Sequence, residues 1–172
     1  MVTFPEAIAG YVRMRAEFPE VAPEVATAMG KKYSDTVKSN LRRLEHGVGT
    51  RTPSAPGGFP ATMTGTLAAS ITDTVFPGDE YAMAVVAPHT IYANIQEEGG
   101  LIWANPGLGA KGKRPHTLHF ITDGVDYFPR IVELPPRPYM ALTTDQLVAD
   151  GSLNRVAAET FISWVDEWMG TW

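Results

Sequence analysis

Residues 71–87 read Ile71-Thr72-Asp73-Thr74-Val75-Phe76-Pro77-Gly78-Asp79-Glu80-Tyr81-Ala82-Met83-Ala84-Val85-Val86-Ala87. Ile71–Phe76 and Tyr81–Ala87 are short runs rich in β-branched and apolar residues. The Pro77-Gly78-Asp79 between them is turn chemistry, so the stretch predicts an antiparallel hairpin. Upstream the period changes from two to that of a helix. Phe4, Ile8, Tyr11 and Val12 place a helix over Phe4–Phe18, with Pro5 in its first turn and Pro19 as its expected end. Val21, Val25, Ala28, Met29, Val37, Leu41 and Leu44 place a longer one from Pro23 to Gly47.

Downstream of the hairpin, Ile91–Glu98 reads as a short helix ending at Gly99-Gly100. Thr117–Thr122 and Arg130–Leu134 read as strands divided by Asp123-Gly124. After Pro135-Pro136 the pattern is helical over Tyr139–Val148 and again over Leu153–Met169, with Ser152 as the expected cap. Strands grouped between helices, not alternating with them, give an α+β class. The expected architecture is a long N-terminal helix packed on a small antiparallel sheet of about four strands, with C-terminal helices. A length of 172 residues sets the prior at one domain over 1–172. Residues 47–62, Gly- and Pro-rich without an apolar period, read as an extended arm. Residues 101–115, with the glycines of Asn105–Lys113, read as an insertion loop.

Composition excludes several function classes. The absence of cysteine removes disulfide frameworks, thiolate metal sites and cysteine nucleophiles. With 44% hydrophobic residues the chain can build a core. No stretch has the length and apolarity of a membrane span and no basic-then-apolar leader pattern opens the sequence, so a soluble chain in a reducing compartment is expected. Charge comes in blocks: −2 over residues 1–30, +4 over 31–51, −5 over 52–110, +2 over 111–137 and −4 over 143–172. Alternating blocks suit docking against protein surfaces, whereas a nucleic-acid binder usually shows a basic balance. Solvated helix faces explain much of the same pattern.

The catalytic and ligand motifs fail on chemistry. Gly107-Leu108-Gly109-Ala110-Lys111-Gly112-Lys113 fits two phosphate-loop spacings, but Arg114 stands where a magnesium-binding Ser or Thr is needed. Pro115 and a strand-like run follow where a helix must open. His116 and His119, beside Asp123 and Asp126, have ligand chemistry, yet positions three apart on a strand point to opposite faces. Glu97 and Glu98 are adjacent, so on a helix they diverge by about 100° and make no acid/base pair. No nucleophile motif accompanies Ser54 or Ser70. No enzyme activity, metal or cofactor is expected. The 31–51 stretch is basic but lacks interleaved aromatics beyond Tyr33. Trp164, Trp168 and Trp172 recur every four residues, joined by Phe161. Phe161 and Trp164 read as core, while Trp168 and Trp172 suit burial against another subunit.

Three motifs occur in a fixed order. The first is Ser54-Ala55-Pro56-Gly57-Gly58-Phe59-Pro60-Ala61 leading to Thr64-Gly65-Thr66-Leu67-Ala68-Ala69-Ser70-Ile71. The second is Tyr92-Ala93 followed by Ile95, Glu97, Glu98 and Gly99. The third is Pro136-Arg137-Pro138-Tyr139-Met140-Ala141-Leu142 opening the C-terminal helices. Over about residues 50–145 this order resembles the tail-completion, or head–tail joining, family of long-tailed bacteriophages, including minor tail proteins of the lambda Z type.

The resemblance implies a structural virion protein of the neck that forms a homo-oligomeric ring, six subunits being expected, at the head–tail junction. It also implies neighbouring neck proteins as partners (a head-closure protein or adaptor, a tail terminator, the tail tube), DNA passing through the lumen without specific binding, no membrane, and assembly in the host cytoplasm. A tail terminator or head–tail adaptor role is the alternative within the neck, and a small nucleic-acid-binding or hydrolytic domain the alternative outside it. The expected assembly residues are Arg137, Glu97, Glu98, Phe59, Trp168, Trp172, Lys111 and Lys113. Arg137, held stiffly between two prolines, is expected to pair with Glu97 or Glu98 in the same subunit or the next. The Pro53–Pro60 arm and the Asn105–Lys113 loop are expected to order only on docking.

Overall fold

The computed structural model describes residues 4–43, 54–62, 64–78, 81–104, 117–118, 120–122 and 125–170. Its elements are helices α1 (Phe4–Arg42), α2 (Thr66–Ala69), α3 (Ala93–Glu98), α4 (Tyr139–Ala149) and α5 (Ser152–Gly170), with strands β1 (Ile71–Pro77), β2 (Ala82–Pro88), β3 (Gly100–Trp103), β4 (Phe120–Thr122), β5 (Val125–Tyr127) and β6 (Ile131–Leu134). The class is α+β, as the sequence predicts. The strands do not join into one sheet of four. They form three two-stranded antiparallel ladders, β1–β2, β3–β6 and β4–β5. The difference arises at β3, four residues within a stretch read as an insertion, and at β5, a three-residue strand too short to show a period.

The chain divides into two compact units. The first comprises Met1–Lys38, Ile71–Pro88 and Thr143–Trp172. Its α1 is continuous through Pro19 and Pro23, where the sequence predicts a break. Each proline removes one backbone donor and so orphans one carbonyl of the preceding turn. Exposed positions at Pro19 and Glu20 leave water near that turn, so the helix passes through.

Among the described side chains, the buried positions of α1 in this unit are Val21, Ala26, Gly30, Ser34 and Val37, at intervals of five, four, four and three. The middle of this stripe is small rather than large, and hairpin β1–β2 lies close against it. A Cβ on Gly30 would stand 2.9 Å from Cβ of Ala84. Ser34 Oγ donates to Asp73 Oδ1 at 3.0 Å, joining helix to strand. Ala28 and Met29, expected on the core stripe, are only half-buried. Tyr33 and Thr144 of α4 share a hydroxyl–hydroxyl bond of 2.9 Å.

Ser152 opens α5 but does not cap it through its own side chain. Asp150 Oδ1 accepts the Ser152 backbone N–H at 2.8 Å. Hydrogen bonds from Ser152 hold the Asp150 carboxyl below its ordinary range, with Lys32 and Arg155 adding smaller Coulomb contributions in the same direction. A depressed native pKa means this contribution is complete above the ordinary carboxylate range and is lost as the pH falls through the lowered value. Acidification, like Asp150→Ala at neutral pH, is therefore expected to fray the first turn of α5. Faster hydrogen exchange at the Arg155 amide, which donates to Gly151 O at 3.0 Å, would register it.

The second unit comprises Ser39–Ser70 and His89–Leu142. Leu41, Ala68, Ala93 and Tyr139 form its buried apolar centre. The Thr62 hydroxyl donates to Leu41 O, tying the chain after the arm to the end of α1. Gly65, left-handed at φ 72°, turns the chain into α2.

Candidate functional site

Three segments far apart in sequence meet in the second unit: 54–57 of the Pro-Gly arm, α3 with its Gly99 turn, and the 135–141 approach to α4. They belong to the three motifs that follow one another in fixed order along the sequence.

Arg137 is buried at the centre of this junction, 7% exposed. Its Nε donates to Ser54 Oγ at 2.7 Å and to Ser54 O at 3.3 Å, its Nη2 to Ser54 O at 2.9 Å, and its Nη1 to Pro135 O at 3.4 Å. The fork thus wraps one serine and one carbonyl, a fixed geometry that suits guanidinium and not a point charge. Prolines on both sides restrict the backbone that presents it. The main chain reinforces the contact: Gly57 N donates to Pro136 O at 2.9 Å, and Arg137 N to Gln96 O at 2.7 Å. The segment from Ser54 to Gly57 is therefore tied down within the chain, contrary to the expectation of a free arm. Phe59 is half-buried and Pro60 buried. Residues 47–53 lie outside the described residues.

Glu97 has a different partner from the one expected. Its Oε2 accepts from Met140 N at 2.9 Å and its Oε1 from Ala141 N at 3.0 Å. These are first-turn amides of α4, orphaned by helix geometry, and the negative charge faces the positive end of the helix dipole. The intrachain Arg137–carboxylate pair is thus corrected. Glu97 is spent on α4, Glu98 is exposed, and Arg137 binds neutral oxygens. The physical reason is that helix termini and carbonyls compete for the same groups, and the sequence does not show which orphan lies nearest. Glu97→Ala should cost about 1 kcal/mol through the lost cap, and Glu97→Gln less, since one oxygen acceptor remains. Urea unfolding of the two variants would measure the difference.

No known protein family, characterised protein or solved structure matches the chain.

The remaining expected residues fall elsewhere. Trp168, in the first unit, is half-buried and makes intrachain contacts. Its Nε1 donates to Glu17 Oε2 at 2.7 Å, and the Arg13 guanidinium carbon lies 5.9 Å from its ring centroid. Arg13 Nε also bonds Glu17 at 2.7 Å, and this bond is the first cause holding the Glu17 carboxyl below its ordinary range. Trp168 ends a stacked series with Trp164 at 6.5 Å and Phe161 beyond it at 6.3 Å. Lys111, Lys113, Trp172, His116 and His119 lie outside the described residues. Among the described residues no group of three potential ligands could hold a metal, and no helix is long and apolar enough to cross a membrane.

Sequence reading did not find Ser54 as the acceptor of Arg137, nor Gln96 O as the anchor of its backbone. It also passed over Trp103, exposed on β3. For Ser54 a signal existed, since a hydroxyl opens the Pro-Gly motif. For Gln96, which contributes only a carbonyl, there was none.

Proposed function

We propose that the chain is a non-enzymatic structural subunit of a long-tailed bacteriophage neck, forming a ring at the head–tail junction that completes the tail and joins it to the head. The observation that carries this reading is the convergence of the three resembling motifs in one junction, where Arg137 binds Ser54 and Glu97 caps α4. Motifs that hold a family's order along the sequence gain weight when they are also in contact. At this junction Arg137 and Glu97 are both used on backbone groups or a neutral hydroxyl, which is the chemistry of fixing a shape. In the ring, neighbouring neck proteins would meet the two ends and DNA would pass through the lumen without sequence readout.

The test is electron microscopy of lysates from a phage with a stop codon in this gene. Separate DNA-filled heads and tails, or tails with an abnormal upper end, are expected. Normal infectious particles would overturn the reading. Complementation with Arg137→Glu, which sets a carboxylate against the Ser54 and Pro135 oxygens, should fail to restore joining.

A further inference from the structure

We propose that α1 is a two-state helix: its leading segment, Phe4–Phe18, is latched onto α5 through Trp168, and on release it unravels while the helix restarts at the Pro19–Pro23 step. The inference concerns the first unit alone and does not depend on the neck reading.

The joint lies in the backbone. Pro19 and Pro23 have no N–H, so the carbonyls of Arg15 and Pro19, four residues earlier, lose their helical donors. Both losses fall on one face of the helix, because positions four apart are neighbours there. The Thr27 hydroxyl donates to Pro23 O at 2.7 Å, a side-chain bond of the kind that bends helices. The same prolines make a good beginning. Their fixed φ suits the first turn of a helix, where a missing N–H costs nothing, and Glu24 would set a negative charge at the new positive end. A helix that restarts here keeps the buried positions Ala26, Ser34 and Val37.

Packing is uneven across the joint. On its N-terminal side no described side chain from Ile8 to Glu20 is buried, and Ile8 and Val12 are 49% and 61% exposed. On α5, Phe161, Trp164 and Trp168 are only half-buried, and the buried residue, Ser152, stands at the helix's other end. A helix as short as Phe4–Phe18 is marginal in water without a packed face. It meets α5 at Trp168. The indole Nε1 donates to Glu17 Oε2 at 2.7 Å, and the Arg13 guanidinium carbon lies 5.9 Å from the ring centroid. Arg13 Nε in turn bonds Glu17 Oε1 at 2.7 Å, so one side chain of α5 engages a joined pair on α1. Stacking on Trp164 orients the indole for both contacts. Segments with few buried apolar contacts open independently of the core, and a segment that orders and disorders is a recurrent switching element. Trp168 is therefore the point at which a competing contact would release the segment.

Hydrogen exchange of the full chain, read by peptic peptides, tests this. In wild type, residues 4–18 should be protected yet exchange roughly tenfold faster than 24–38. Trp168→Phe keeps a ring for Trp164 and Arg13 but removes the Nε1 donor. It should speed exchange over 4–18 several-fold and leave 24–38 unchanged. Glu17→Ala removes the acceptor without touching α5, should act in the same way, and replaces the first variant should that fail to fold. Pro19→Ala with Pro23→Ala restores both donors and should slow exchange over 4–18 towards that of 24–38. Equal protection of the two stretches in wild type, or none over 4–18, would overturn the two-state helix. No acceleration over 4–18 in the Trp168 and Glu17 variants would overturn the latch. Acceleration of both stretches together, or no effect of the paired proline replacements, would overturn the joint.

Discussion

Arg137→Ala is expected to lower the stability of the chain by about 3 kcal/mol, well beyond the loss from truncating Glu97. The estimate has two sources. Hydrogen bonds from a charged donor contribute more than neutral ones, and here Nε and Nη2 make short bonds of 2.7 Å and 2.9 Å to one residue. The variant also strands the Ser54 hydroxyl and carbonyl and opens a cavity at a 7% exposed position. Arg137→Lys separates charge from geometry. An ammonium keeps the charge but cannot span Ser54 and Pro135 as the fork does, so it should recover less than half of the loss. Urea unfolding followed by circular dichroism measures the stabilities. Hydrogen exchange at the Gly57 amide, bonded to Pro136 O at 2.9 Å, reports whether the arm has come loose. An Arg137→Ala protein as stable as wild type, with Gly57 still protected, would show that backbone bonds alone hold the junction.

The sequence made the junction partly legible. Glycine and proline punctuation located the hairpin, the α3–Gly99 stop and the entry to α4, because turn chemistry is local and its signals sit where the turn is. Arg137 and Glu97 stood out because a charge on a stiff or helical segment needs a partner. Which partner each takes is a tertiary fact. Both Glu97 and Arg137 had nearer-looking candidates in each other than in the α4 amides and Ser54. Pro19 and Pro23 misled for a related reason: a helix break is the usual outcome of proline, but α1 runs on through the packed positions Val21, Ala26 and Val37. The small-residue stripe of Ala26, Gly30 and Ser34 was invisible to a search for large apolar residues, although it is what lets the hairpin approach α1. β3 escaped because four residues cannot establish a period, and its exposed Trp103 and Leu101 look like loop residues until Ile131 and Glu133 are found opposite them.

Gly99→Ala should destabilise the chain by about 3 kcal/mol or more, and the reason is backbone on both sides. Gly99 sits at φ 73° and ψ −174°, a conformation that L side chains rarely adopt. A Cβ there would stand 2.7 Å from Leu134 O, 2.8 Å from Pro136 N and 3.0 Å from Pro136 Cδ. None of these atoms ends a flexible side chain, so the strand and the proline must move, and they carry β6 and Arg137 with them. Gly65→Ala is the control. It lies at φ 72° and ψ 1°, the left-handed region that other residues enter at modest cost, and nothing lies within 4 Å of the added methyl, so about 1 kcal/mol is expected. Equal losses in the two variants would show that neither the glycine-only dihedrals nor the crowding at Gly99 costs what is expected. A larger loss at Gly99 is the expected result, from its dihedrals and from the close approach of the 134–136 segment together.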